Sequence, residues 1–95
     1  VSYLTILARV AALYQLRPED IIDPDRSAPR VEARHVAMFL AFRSRPDWSE
    51  IAAAFQRNHN TIRHAVKSVS ARMNTEKKFR ARIESMALGM NLPIK

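Results

Sequence analysis

Six polar side chains crowd the stretch His59-Asn60-Thr61-Ile62-Arg63-His64-Ala65-Val66-Lys67. Their types suit hydrogen bonding to nucleic-acid bases better than bond-making chemistry. Asparagine can pair bidentately with adenine and arginine with guanine, while histidine, threonine and lysine reach base acceptors or phosphates. At 100° per residue, Ile62, Val66, Val69 and Met73 fall within about 40° of one line, and Asn60, Arg63, His64 and Lys67 lie between about 100° and 200° away. One helix therefore carries a core side and a reading side. His59 and Thr61 belong to its first turn, where free backbone N–H groups can hold a phosphate.

Catalysis and metal binding suit the same residues less well. Two helical metal ligands need i, i+3 or i+4 spacing, whereas His59 and His64 are five apart and about 140° apart in angle. No Ser/His/Asp set or glycine-rich phosphate loop occurs, and Asp20, Asp23 and Asp25 sit in a turn region. Neither enzymatic activity nor a metal or other cofactor is expected. His35, just ahead of an apolar run, reads as a boundary or core histidine.

Charge points to the same place. Between Gln56 and Arg82 lie Arg57, Arg63, Lys67, Arg72, Lys77, Lys78, Arg80 and Arg82 against Glu76 alone, so this segment holds the whole formal charge of +7. Such a block is the footprint of a surface that meets phosphates. A membrane-surface helix would need a broad face of Trp, Phe and Leu, which the segment lacks.

The elements that must position these residues follow from apolar spacing of 3.6. Tyr3, Ile6, Leu7, Val10, Leu13 and Tyr14 mark a helix from about Tyr3 to Gln15. Pro18, Glu19 and Asp20 open a short one carrying Ile21 and Ile22. Asp23 to Pro29 reads as a loop, and the run Val36 to Phe42 as the centre of a buried helix from about Arg30 to Arg43. Asp47-Trp48-Ser49-Glu50 resembles a capping box starting a helix that ends near Phe55. After Gln56 to Asn58 comes the long basic helix, then a last one from about Thr75 to Leu88, with Gly89 as its stop. A short helix, a tight turn and a long helix, over about 48–73, is the helix-turn-helix order. The expected fold is all-α, one compact domain over 1–95 with five to six helices.

With 95 residues, 47% of them hydrophobic, the chain can build a modest core without disulfides, and it contains no cysteine. No apolar run approaches the ~20 residues of a membrane span, so a soluble protein of the bacterial cytoplasm is expected. The chain opens on Val1 rather than Met, which fits a domain cut from something longer.

Val10-Ala11, Tyr14-Gln15-Leu16, Asp20-Ile21-Ile22, Arg34 with Val36-Ala37-Met38, Glu50-Ile51 with Phe55, and Arg57-Asn58-His59-Asn60-Thr61-Ile62-Arg63-His64-Ala65 together resemble the C-terminal DNA-binding domain of the bacterial replication initiator DnaA, a Trp-repressor-like helical fold. The resemblance runs from about Leu7 to Val69. It implies a helix-turn-helix seated in the major groove of double-stranded DNA by the start of the long helix, with an arginine from the preceding loop in the minor groove. His59 and Thr61 carry over unchanged, and Arg26 is the nearest candidate for the minor-groove arginine. The family's Asp is here Asn58, one Thr is Asn60, an apolar position is Arg63, and the paired glycines of the turn shrink to Gln56.

Base reading is accordingly expected from His59, Asn60, Thr61, Arg63, His64 and Lys67. Contacts to the DNA backbone or minor groove are expected from Arg26, Arg30, Arg34, Arg57, Asn58, Arg72, Lys77 and Lys78. Because Asp accepts from cytosine and Asn prefers adenine, the target should differ from the initiator's usual box. The chain contains no ATPase motif. If it is most of a free-standing protein, it reads as a divergent DnaA-like transcription regulator, of phage or mobile-element genes for instance. The alternatives are the DNA-binding tail of a replication initiator, and a protein-interaction module contacting RNA polymerase or a partner regulator.

Overall fold

The computed structural model describes residues 2–24 and 27–92, which form six helices and, among the described residues, no strand: α1 (Tyr3–Leu13), α2 (Pro18–Ile22), α3 (Ala28–Ser44), α4 (Trp48–Phe55), α5 (His59–Thr75) and α6 (Lys77–Gly89). This is the all-α domain expected. α3 is the hub, packing against α1, α2, α4 and α5, while α6 packs along α5. Its role follows from composition: Ala33, Val36, Ala37, Met38, Phe39, Leu40 and Ala41 are all buried. Such a helix is stable only when neighbours cover it on several sides.

Five of the six helices, α6 excepted, start where the sequence supplies an acceptor or a tolerated proline. The Ser2 hydroxyl accepts from the Thr5 N–H at 3.1 Å, and the Arg17 N–H donates to Asp20 Oδ2 at 2.9 Å, ahead of Pro18 in the first turn of α2. α3 begins at Ala28, two residues before the expected start, because Pro29 sits in its first turn, where a missing N–H removes no helical bond. At α4, the Asp47 carboxylate accepts from the Glu50 N–H at 3.1 Å. The return half of the expected capping box is absent, since Glu50 pairs with Arg45 and the Asp47 N–H donates to the Arg45 carbonyl.

Three helices stop in the left-handed region with side chains in place of glycine: Gln15 (φ 58°), Gln56 (φ 55°) and Asn91 (φ 58°). In each case the next residue's N–H folds back onto the helix, Leu16 to Ala11, Arg57 to Ala52 and Leu92 to Ala87, at 2.8 to 3.0 Å. The stop expected at Gly89 is thus at Asn91; Gly89 is the last residue of α6. The break between α5 and α6 needs neither Gly nor Pro. Glu76 is extended there (φ −121°, ψ 100°) and its carboxylate accepts from Arg72 Nε at 3.0 Å.

Candidate nucleic-acid interface

The start of α5 is assembled by its own cap. Asn58 is the N-cap residue, and its Oδ1 accepts both the Thr61 N–H at 2.8 Å and the Thr61 hydroxyl at 3.1 Å. The Ile62 N–H goes to the Asn58 carbonyl. That leaves the His59 and Asn60 N–H groups without a partner among the described residues, two donors aimed along the helix axis where the dipole favours an anion. An Asn in this position still caps, as an Asp would, but offers a neighbouring group an NH₂ in place of a second carboxylate oxygen.

Past the cap, α5 divides as its periodicity requires. Ile62, Ala65 and Val69 are buried, with Val66 and Met73 packed against the core edge, while His59, Asn60, Arg63, His64 and Lys67 are exposed and Thr61 is half-buried. α4 holds α5 in place through Ile51, Ala52 and Phe55, all buried. The left-handed Gln56 lets the chain reverse between the two helices with three residues, Gln56 to Asn58.

Arg57 fastens this turn to the segment after α2. Its guanidinium donates to the carbonyls of Phe55 and Gln56, both at 3.2 Å, and of Asp23 at 3.3 Å. Arg34 reaches the same Asp23 carbonyl, and its Nε donates to the Ile21 carbonyl at 2.7 Å. Expected as a DNA-backbone contact, Arg34 is only 6% exposed, and its guanidinium is engaged inside the fold. Arg30, half-buried, lies 3.4 Å from Asp20. Arg26 lies outside the described residues.

The remaining basic residues separate into two sets. Arg72 pairs with Glu32 at 2.7 Å and Glu76 at 3.0 Å, Arg82 with Glu32 at 3.1 Å, and Arg80 with Glu84 at 3.0 Å. The Phe79 ring carries Arg72 at 3.9 Å and Arg82 at 5.6 Å from its centroid. Arg72, expected to contact a phosphate, is therefore part of a clamp joining α5 and α6 to α3. Arg57, Arg63, Lys67, Lys77 and Lys78 have no carboxylate partner among the described residues. Their charge remains available to phosphates.

Glu32 is the anion on which the clamp closes. It also accepts from the Tyr14 hydroxyl at 2.6 Å. Partial burial opposes its ionisation, but the hydrogen bonds from Arg72 and Tyr14 and the nearby guanidinium charges of Arg72 and Arg82 hold its carboxyl below the usual range. The Tyr14 hydroxyl is pushed up, by burial and by that carboxylate.

Two aromatic residues outside the expected set touch the outward face of α5. Trp48 stacks on Phe42, with centroids 4.5 Å apart and planes at 28°, and Arg63 lies over the Trp48 ring at 5.3 Å. His35, read from sequence as a boundary or core residue, is half-buried on α3 and meets His64 edge to face, ring centroids 6.3 Å apart. Burial, and then repulsion from His64 and Arg34, lowers its pKa. Neither contact is visible in local spacing, because Trp48 and Arg63 stand on different helices, as do His35 and His64.

A capped helix with an exposed polar first turn, braced by a short helix across a three-residue turn, defines the helix-turn-helix class of DNA-binding domain. Residues 4–69 match the bacterial dnaA protein helix-turn-helix family. The chain belongs to that family. It is similar to the chromosomal replication initiator protein DnaA of Aquifex aeolicus (35% identity over 79 residues, 81% of this chain and 20% of the relative). It is also similar to that of Nautilia profundicola (28% over 83 residues, 85% and 19%) and to the initiator protein DnaA 2 of Chlamydia pneumoniae (31% over 84 residues, 87% and 19%). The chain thus spans about a fifth of the length of these relatives.

Proposed function

We propose that the domain binds double-stranded DNA sequence-specifically, with the start of α5 in the major groove. His59, Asn60, Thr61, Arg63, His64 and Lys67 would face base edges or the phosphates beside them. Asn58, Arg57, Lys77 and Lys78 would meet the backbone, as would Arg30 in the first turn of α3 and Arg26, which precedes α3 in sequence. The observation that carries this reading is the exposed first turn of α5, with two unpartnered N–H groups, next to cations that no carboxylate neutralises. Selection of bound duplexes from random DNA tests it. One enriched motif, bound with an affinity that falls steeply as salt rises, is the expected result. Uniform recovery of all sequences would remove specific readout, and a salt-insensitive domain would favour a protein partner such as RNA polymerase.

Two cellular settings fit. The relatives named above are replication initiators, which favours this domain as the DNA-binding part of an initiator. Asn58, Asn60 and Arg63, at positions where the family resemblance leads one to expect other residues, favour a transcription regulator with its own target. A selected motif equal to the initiator's usual box supports the first setting, and a different motif supports the second.

A further inference from the structure

We infer that Trp48 is the positioning residue that fixes where Arg63 reads, and that the base pair read there is G·C. This rests on the major-groove reading of α5 proposed above. Arg63 is exposed, and none of its donors has a protein partner among the described residues. Other arginines of the basic segment are engaged: Arg57 by three carbonyls, Arg72 by Glu32 and Glu76, Arg80 by Glu84. What Arg63 does have is an aromatic face, the Trp48 ring, 5.3 Å from its central carbon.

That face is itself fixed. Trp48 is the first residue of α4, directly after the Asp47 cap, and it stacks on Phe42 of the central helix at 4.5 Å. Phe42, Trp48 and Arg63 therefore form a continuous series of contacts that refers the guanidinium to the core of the domain. A guanidinium that rests over an aromatic ring keeps its N–H donors for other acceptors. Five donors in a planar fork, held at the border of the reading face, match the O6 and N7 acceptors of guanine. An arginine on a bare helix face would lose rotamer freedom on making that contact, whereas this one has given up part of it before DNA arrives.

The test uses the duplex selected above and variants of it with each base pair replaced in turn, bound by the wild type, Arg63→Ala, Trp48→Leu and Trp48→Phe. Arg63→Ala should remove preference at one G·C pair, about 5- to 150-fold. Trp48→Leu should lower preference at that same pair by about 2- to 5-fold, the range of an exposed cation–π contact, with less loss on random duplex. Trp48→Phe should restore part of it. If Arg63→Ala changes no single pair, the reading of Arg63 fails; if it does but Trp48→Leu keeps the full preference, Trp48 does not position it. A merely structural tryptophan would weaken all duplexes alike. Should Trp48→Leu fail to fold, iodide quenching of the single tryptophan decides. A cation over the indole attracts iodide but not neutral acrylamide, so the ratio of iodide to acrylamide quenching should fall in Arg63→Ala, and an unchanged ratio overturns the inference.

Discussion

Lys67 and Arg72 carry the same charge on the same helix, yet their removal should have opposite consequences. Lys67 is exposed on the outward face of α5 without a carboxylate partner among the described residues, whereas Arg72 bridges Glu32 and Glu76 and lies 3.9 Å over Phe79. Lys67→Met should shift stability by no more than about 0.5 kcal/mol, as for an ordinary surface site. It should lower the salt slope of duplex binding by about 0.9, which means that a rise from 50 to 200 mM salt weakens the variant about 3- to 4-fold less than wild type. Arg72→Met loses two partly exposed ion pairs, worth about 0.2–1 kcal/mol each, and a contact over a buried ring, worth about 0.5–2 kcal/mol. Because these share one side chain, about 1–2 kcal/mol in all is expected, a fall in Tm of roughly 4–16 °C for a domain of this size. Its salt slope should stay near that of the wild type. Thermal melts by circular dichroism and anisotropy titrations at four salt concentrations measure both quantities. The division into clamp and interface is wrong if Arg72→Met flattens the salt slope as much as Lys67→Met while melting at the wild-type temperature.

Three further outcomes follow from the helix ends and from His35. Gln56→Gly should raise stability by about 0.5–1 kcal/mol, because Gln56 occupies the left-handed region that glycine enters without steric penalty; a urea titration measures it. Asn58→Asp should keep the cap and leave one carboxylate oxygen spare, so repeating the duplex selection should show a new preference for cytosine at one position, about tenfold. Stability should also decline as pH falls from 7.5 to 5.5. Burial holds the folded pKa of His35 below the ordinary histidine value of 6.5, so in that window the unfolded chain takes up more protons than the folded one. His35→Gln should flatten this limb, leaving the acid loss at lower pH, where Glu32 becomes protonated.

Much of the architecture is legible from apolar periodicity. Ile62, Val69 and the Val36 to Leu40 stretch are buried where their spacing places them, and the five outward residues of α5 are exposed. Local signals did less well at boundaries set by tertiary partners. Pro29 reads as loop because proline usually breaks helices, whereas the break expected near Thr75 lies at Glu76, within a residue of its place. The site was harder still. Eight basic residues in one segment look equivalent in sequence, and what divides them is Glu32, forty residues from Arg72 and fifty from Arg82 along the chain. Arg34 looks like a surface cation until α2 brings the Ile21 and Asp23 carbonyls over it. Trp48 gave no hint of a role, since its neighbours Phe42 and Arg63 come from other helices.

The three left-handed helix ends bear on the unfolded chain as much as on the folded one. Each holds a side chain against its preferences, yet the whole sequence has a single glycine and five prolines. A chain so poor in its most flexible residue samples fewer backbone states before it folds, and less conformational entropy is then lost on ordering. Strain at Gln15, Gln56 and Asn91 is thus partly offset in the denatured ensemble, at positions where no native contact would reveal the gain.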